Sequence, residues 1–259
     1  LYLLDIKNDN TANWIIIEME DGVKPGRRYG HSLVFYKPYL ILFGGNLNNE
    51  AANDVWTFNS EIRPLRWTKL ELNPNDKCPP PRVYHSAGIC TFGAANGMMV
   101  VYGGRQRDGK QLNDMWGLRK HRNGLWDWMQ APYKNAEPSD RIQHTSLLFG
   151  QFFINVGGRS QVSGDNLPIE IYDSQNNTWE SFGVFKKFRF ASFIHENFIY
   201  VHGGLKEIKH SQPSKSIIQI NLLEILKDSN RYSAEAKKGV EKINVESDKK
   251  LKRINTMTS

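Results

Sequence analysis

The sequence predicts an all-β propeller built from repeated four-stranded sheets, and three observations carry that expectation. The dipeptide Gly-Gly recurs four times, starting at positions 44, 103, 157 and 203, each time after a short apolar run. Successive pairs are 59, 54 and 46 residues apart, close to the ~50 residues of one propeller repeat. Other marks keep the same register. Asn53-Asp54-Val55-Trp56 and Asn113-Asp114-Met115-Trp116 follow the first two pairs, Ile169-Glu170-Ile171-Tyr172-Asp173 is a looser third copy, and a further tryptophan comes after each (Trp67, Trp126 with Trp128, Trp179).

Each repeat reads as four strands. In the first unit these are an inner strand at 31–36, a second at 40–45 ending in the glycine pair, a third at 54–58 and a tryptophan-bearing fourth at 66–72. Asn96-Gly97 falls between the first two strands of one unit and Asn123-Gly124 between its last two, and Asn-Gly favours tight hairpins because both residues tolerate positive φ. Glycine pairs remove side chains where backbone passes closely. Tryptophans on outer strands fill the wedge between neighbouring sheets, each burying roughly 150–250 Å².

Residues 2–5 and 14–19 read as the last two strands of an earlier blade, and 217–222 as a third strand with no tryptophan strand after it. The count is three complete blades and two partial ones, with six expected in the intact ring. The propeller is assigned to residues 1–230, with almost no helix before residue 222. Residues 231–259 break the pattern: they are rich in Lys and Glu, have a weak helical tendency at 234–243, and read as a polar linker.

Composition excludes several function classes. The linker carries eight Lys/Arg against four Asp/Glu, so it supplies more than half of the formal charge of +7. The rest is too balanced for the basic stripe of a nucleic-acid binder, and no nucleic-acid partner is expected. No apolar run approaches the roughly 18 residues of a membrane helix, so no membrane partner is expected either. The first residue is Leu1 and no signal-peptide pattern follows, which suggests a start inside a larger polypeptide. Two cysteines, Cys78 and Cys90, are too few for a disulfide framework, and an intracellular setting, cytoplasmic or nuclear, is expected.

The spacing and the glycine pairs resemble Kelch repeats, so the predicted fold is a Kelch β-propeller. A narrower resemblance rests on Tyr2-Leu3-Leu4-Asp5, on Pro25-Gly26-Arg27-Arg28-Tyr29-Gly30-His31, and above all on His121-Arg122-Asn123-Gly124-Leu125-Trp126-Asp127-Trp128 with Ala131-Pro132. Together with Tyr200-Val201-His202-Gly203-Gly204-Leu205, these stretches resemble the N-terminal domain of the Kelch-domain Ser/Thr protein phosphatases (PPKL) of plants and protists. That resemblance covers about residues 1–225. It implies a PP1-type catalytic domain with two metal ions of the Mn or Fe/Zn type outside this chain. The motifs Gly-Asp-x-His-Gly and Gly-Asn-His-Glu have no counterpart here, since Gly164-Asp165 is followed by Asn166 and Leu167. No catalytic site and no cofactor are therefore expected in this chain.

Strand alternation supplies a candidate binding face. Arg28, Arg82, Arg141 and Arg189 precede a first strand, while Arg105 and Arg159 follow a glycine pair. Both loops must lie on one face, so all six should gather at one mouth of the central channel. Guanidinium groups there would grip carboxylate or phosphate on an acidic or phosphorylated protein partner. A competing reading is that the four arginines before first strands pair with local acids and brace the channel. His31, His85 and His144 follow three of the arginines by three residues, with Ser192 after Arg189. They occupy the same place in successive sheets roughly 10 Å apart, too far to share one metal in the manner of galactose oxidase. The functional expectation is a docking and regulatory module for a phosphatase. The alternatives are a Kelch-type adaptor and a propeller enzyme.

Overall fold

The computed structural model describes residues 1–7, 11–206 and 212–227, and the expected linker at 231–259 lies outside the described residues. An N-terminal hairpin pairs β1 (Tyr2–Ile6) with β2 (Ala12–Ile16). The first blade contains β3 (Arg28–Tyr29), β4 (Ser32–Tyr36), β5 (Tyr39–Leu47), β6 (Glu50–Asn59) and β7 (Trp67–Lys69). The second runs β8 (Ser86–Ile89), β9 (Met99–Tyr102), β10 (Met115–Lys120) and β11 (Trp126–Gln130). The third runs β12 (Thr145–Phe149), β13 (Phe152–Val156), β14 (Pro168–Asp173) and β15 (Thr178–Val184). The fourth has three strands, β16 (Phe188–His195), β17 (Phe198–Leu205) and β18 (Ile217–Asn221), and then α1 (Leu222–Lys227).

All pairings are antiparallel, and the inner strands β4, β8, β12 and β16 are neighbours in that order. This is the expected all-β propeller arrangement, with three complete blades and two partial sheets among the described residues. Before residue 222 the only helical element among them is a 3-10 turn at Gly93–Ala95.

The core lies between neighbouring blades, where facing sheets bury their apolar side chains. Ile41, Phe43 and Val55 of the first blade meet Met99, Val101, Trp116, Leu118 and Trp128 of the second. Trp128 packs on Phe43 with ring centroids 5.0 Å apart, and one repeat later Trp179 packs on Tyr102 at 5.4 Å. Trp128 and Trp179 thus reach back to the aromatic residue just before the preceding blade's glycine pair, and burying one contributes about 4–6 kcal/mol by area. Between the third and fourth blades the fully buried filling is aliphatic with phenylalanines packed around it, and Leu222 and Leu226 of α1 join it where a fourth strand was not expected.

The Asn-Gly turns differ from expectation. Gly97 and Gly124 adopt positive φ, but Asn96 has φ −55° and Asn123 is not among the left-handed residues. The connections are longer than two residues, so only the glycine has to enter the left-handed region; at His121 the amide is closed by Leu125 and the carbonyl by Gly124.

Candidate partner-binding mouth

Three of the six predicted arginines turn inward. Arg82 donates from Nη1 and Nη2 to the two carboxylate oxygens of Asp114, each at 2.8 Å, and from Nη1 to the Gly103 carbonyl at 2.9 Å. Arg28 makes the same fork with Asp54 (2.7 and 3.0 Å) and bonds the Gly44 carbonyl at 3.0 Å. Arg141 donates to Glu170 at 2.7 Å and to the Gly157 carbonyl at 3.1 Å. The side chains of Arg82 and Arg141 are 0% exposed and that of Arg28 is 2% exposed. Such guanidinium groups cannot receive a partner without dismantling the blade, so the bracing reading applies to these three.

The sequence held the signal for this brace. Its acid is the Asp of Asn-Asp-x-Trp, and the tryptophan completes the carboxylate's coordination, with Nε1 donating at 2.6 Å in both Trp56 and Trp116. For Asp54 burial alone would push the carboxyl upward. The bonds from Arg28 and Trp56 outweigh that and hold it below the usual carboxylate range.

Arg189 requires a correction of register. The fourth copy of the brace is Lys187, which is buried and donates to the Gly203 carbonyl at 3.1 Å. Burial, aided by Lys206, lowers its pKa. Arg189 stands two positions later and is exposed at φ 56°; Tyr84 (58°), Gln143 (57°) and Gly30 (65°) occupy the same place in the other blades. These four are tied by backbone bonds around the mouth. The amides of Tyr84, Gln143 and Arg189 donate to the carbonyls of Gly30, Tyr84 and Gln143 at 2.9, 3.1 and 3.0 Å.

The corrected register also explains the histidines. His85 Nε2 lies 2.9 Å from Ser32 Oγ, and His144 Nε2 lies 2.7 Å from Ser86 Oγ, so each histidine ties its blade to the preceding one. Phe190, not Ser192, stands at this place in the fourth blade. A Cβ added to Gly157 would come 2.8 Å from its ring, much as one on Gly103 would come 3.0 Å from His144 Cε1. Desolvation by burial, with Arg82 nearby, lowers His85 to about 3, and burial beside Arg141 puts His144 well below its usual value. Both are neutral seam residues held at separate seams, not converging ligands.

What remains at the mouth is Arg105, Arg159 and Arg189. The bridges Val83 to Arg105 and Ile142 to Arg159 place the segment after each glycine pair beside the loop entering its own blade, as strand alternation requires. The Arg105 guanidinium carbon lies 6.0 Å from the Tyr84 ring centroid. Arg159 lies 5.2 Å from the Phe188 ring and bonds Asp165 at 3.0 Å. Arg107, which sequence reasoning passed over, is exposed on the same loop and pairs with Glu50 at 2.7 Å. Among the described residues Arg105 and Arg189 have no ion-pair partner, whereas Arg28, Arg82, Arg141 and Arg159 are each paired with an acid.

Comparison with known proteins agrees with this architecture. Residues 61–224 match the KLHDC2/KLHL20/DRC7 Kelch-repeats domain. The Arabidopsis thaliana serine/threonine-protein phosphatase BSL2 is 31% identical over 184 residues, covering 69% of this chain and 17% of that protein. The F-box/kelch-repeat protein At1g51550 of the same plant is 33% identical over 186 residues, or 68% of this chain and 37% of that protein. The dynein regulatory complex subunit 7 of Chlamydomonas reinhardtii is 26% identical over 133 residues, covering 51% and 11% respectively. The chain spans well under half the length of each of these relatives. The matched stretch covers more than half of the chain, and the chain belongs to the Kelch-repeat family and is related to a plant Ser/Thr protein phosphatase.

Proposed function

We propose that this chain is a protein-interaction module whose mouth docks an acidic or phosphorylated segment of a partner. In its parent polypeptide it would regulate or supply substrate to a Ser/Thr protein phosphatase whose two-metal catalytic domain lies outside the chain. The observation that carries the docking reading is the contrast between the arginines. Arg28, Arg82 and Arg141 are spent on internal acids, while Arg105 and Arg189 stand exposed without an acid partner among the described residues. The exposed guanidinium of Arg105 over Tyr84 and that of Arg189 suit bidentate capture of carboxylate or phosphate. The phosphatase connection is supported by the similarity to the plant phosphatase.

The test is fluorescence anisotropy with a phosphoserine peptide flanked by glutamates, at low and physiological salt. Arg105→Ala with Arg189→Ala should weaken binding by about 1.5–3 kcal/mol for each charge-assisted bond lost. Unchanged binding by the folded double variant at low salt would remove the mouth from consideration. The similarity to an F-box/kelch-repeat protein supports a second reading, an adaptor that presents the docked partner to a different neighbouring domain. The domain encoded beside this one separates the two.

A further inference from the structure

The face opposite the mouth carries a second feature, independent of the arginines. In the first, third and fourth blades the turn from the first to the second strand has two residues, Lys37-Pro38, Gly150-Gln151 and Glu196-Asn197. In the second blade it spans residues 90–98, includes the 3-10 turn at Gly93–Ala95, and carries Phe92 at 39% exposure. This insertion forms one lip of a 560 Å³ cleft between the second and third blades, walled by Met98, Met115, Met129, Leu148 and Phe153. That volume falls within the range of sites that enclose a ligand group, and thioether side chains adapt to varied shapes.

Gly117 on β10 enlarges the cleft. It stands where the first blade has Thr57 and the third has Ile171, and its φ lies outside the left-handed region, so the backbone does not demand glycine. A Cβ there would meet Met98 Sδ at 3.3 Å and Met129 Cγ at 3.7 Å. Gly117 itself lines the cleft, and with no side chain there its backbone forms the wall between the two methionines.

The surroundings define what fits. Tyr133, next to the lining residue Pro132, adds exposed apolar surface (45% exposed), which suits an extended chain around an anchoring side chain better than a free small molecule. Arg119 in the lining pairs with Asp127 through Nε and Nη2, while Arg122 on the adjoining turn between β10 and β11, and Lys134, whose amide donates to the carbonyl of the lining residue Asn177, have no ion pair among the described residues. Asp173 is occupied by the amides of Gln151, Gln175 and Asn176. Cations outnumber acids there. We propose that this cleft takes one large apolar side chain, phenylalanine-like in size, from a partner-protein segment with carboxylates flanking that side chain.

Methyl-labelled methionine spectra of the full chain test this with a capped pentapeptide, Asp-Asp-Phe-Asp-Asp. The Met98 and Met129 methyl resonances should shift saturably, with half-saturation at about 1 mM or below. Replacing the peptide's Phe with Ala, or its Asp residues with Lys, should weaken binding at least about tenfold, as should Gly117→Val or Phe92→Asp in the protein. Phe92 lies on an exposed loop, so its variant reports even if Gly117→Val misfolds. Absence of saturation, equal binding of the Lys peptide, or insensitivity to Phe92→Asp in the folded protein would overturn the proposal. Phenylacetate binding as tightly as the peptide would overturn it too, in favour of a small-molecule pocket.

Discussion

His85 of the second blade and Ser32 of the first are 2.9 Å apart, Nε2 to Oγ, and this bond crosses the seam between two sheets that share no strand. It repeats one blade later between His144 and Ser86. Room for each histidine comes from the glycine pairs: a Cβ on Gly44 would sit 3.1 Å from His85 Cε1, and one on Gly104 would sit 2.9 Å from His85 Cβ. In the first three pairs the first glycine accommodates the next blade's ring and the second its own blade's histidine, while in the fourth pair Gly204 accommodates Phe190.

Stability should fall with acid through these seams. An unfolded histidine binds its proton near pH 6.5, whereas burial lowers His85 to about 3 and His144 well below its usual value. The stability of each neutral histidine is fully present above pH 6.5 and is lost as pH falls from there toward the folded value. The slope is up to about 1.4 kcal/mol per pH unit for each. Urea midpoints at pH 7.5 and 5.5 measure it, and His144→Phe, the residue type the fourth blade carries at this place, should remove about a third to a half of the slope, since burial lowers His31 as well. An unchanged slope in that variant contradicts the account.

Cutting a brace should cost far more than removing a mouth cation. Arg141→Met leaves Glu170, itself buried, without its counter-charge and should destabilise by about 3–5 kcal/mol. Arg189→Ala should stay within about 0.5 kcal/mol, because the side chain is exposed. Equilibrium unfolding of the two variants decides between this register and one in which Arg189 is the brace.

Glycine substitution separates the pairs from ordinary glycines. Gly158→Ala places a Cβ 2.6 Å from His144 Cβ and 2.8 Å from the Ile142 carbonyl at φ +96°, and should cost more than about 2 kcal/mol. Gly183→Ala meets nothing within 4 Å and should be neutral within about 0.5 kcal/mol. Thermal melts that fail to separate the two would refute the packing explanation.

With manganese and a phosphopeptide, this chain alone should release no phosphate. Two-metal hydrolysis needs ligands that generate and align a nucleophilic water, and the sequence has no Gly-Asp-x-His-Gly or Gly-Asn-His-Glu motif. Turnover that follows the polypeptide through purification would contradict this.

The sequence by itself determined the repeat. Glycine pairs, hairpins and tryptophan strands are local in their demands, because positive φ, close backbone approach and a wedge to fill require particular residue types at fixed offsets. Blade count and strand order followed from those offsets. The destiny of the arginines did not. Arg82 and Arg105 look alike along the chain, and only the fold brings Asp114, 32 positions away, into a fork around Arg82 while leaving Arg105 over a tyrosine ring. The fourth blade misled in the same way. With Lys187 for arginine and Phe190 for histidine the motif loses its letters, and Arg189 attracts the alignment. In three dimensions the Gly203 carbonyl and the space above Gly157 identify the true positions. Tertiary structure also decided the cleft, since its walls come from two blades and its depth from the absence of a side chain at Gly117, a property of neighbours in space that no local pattern encodes.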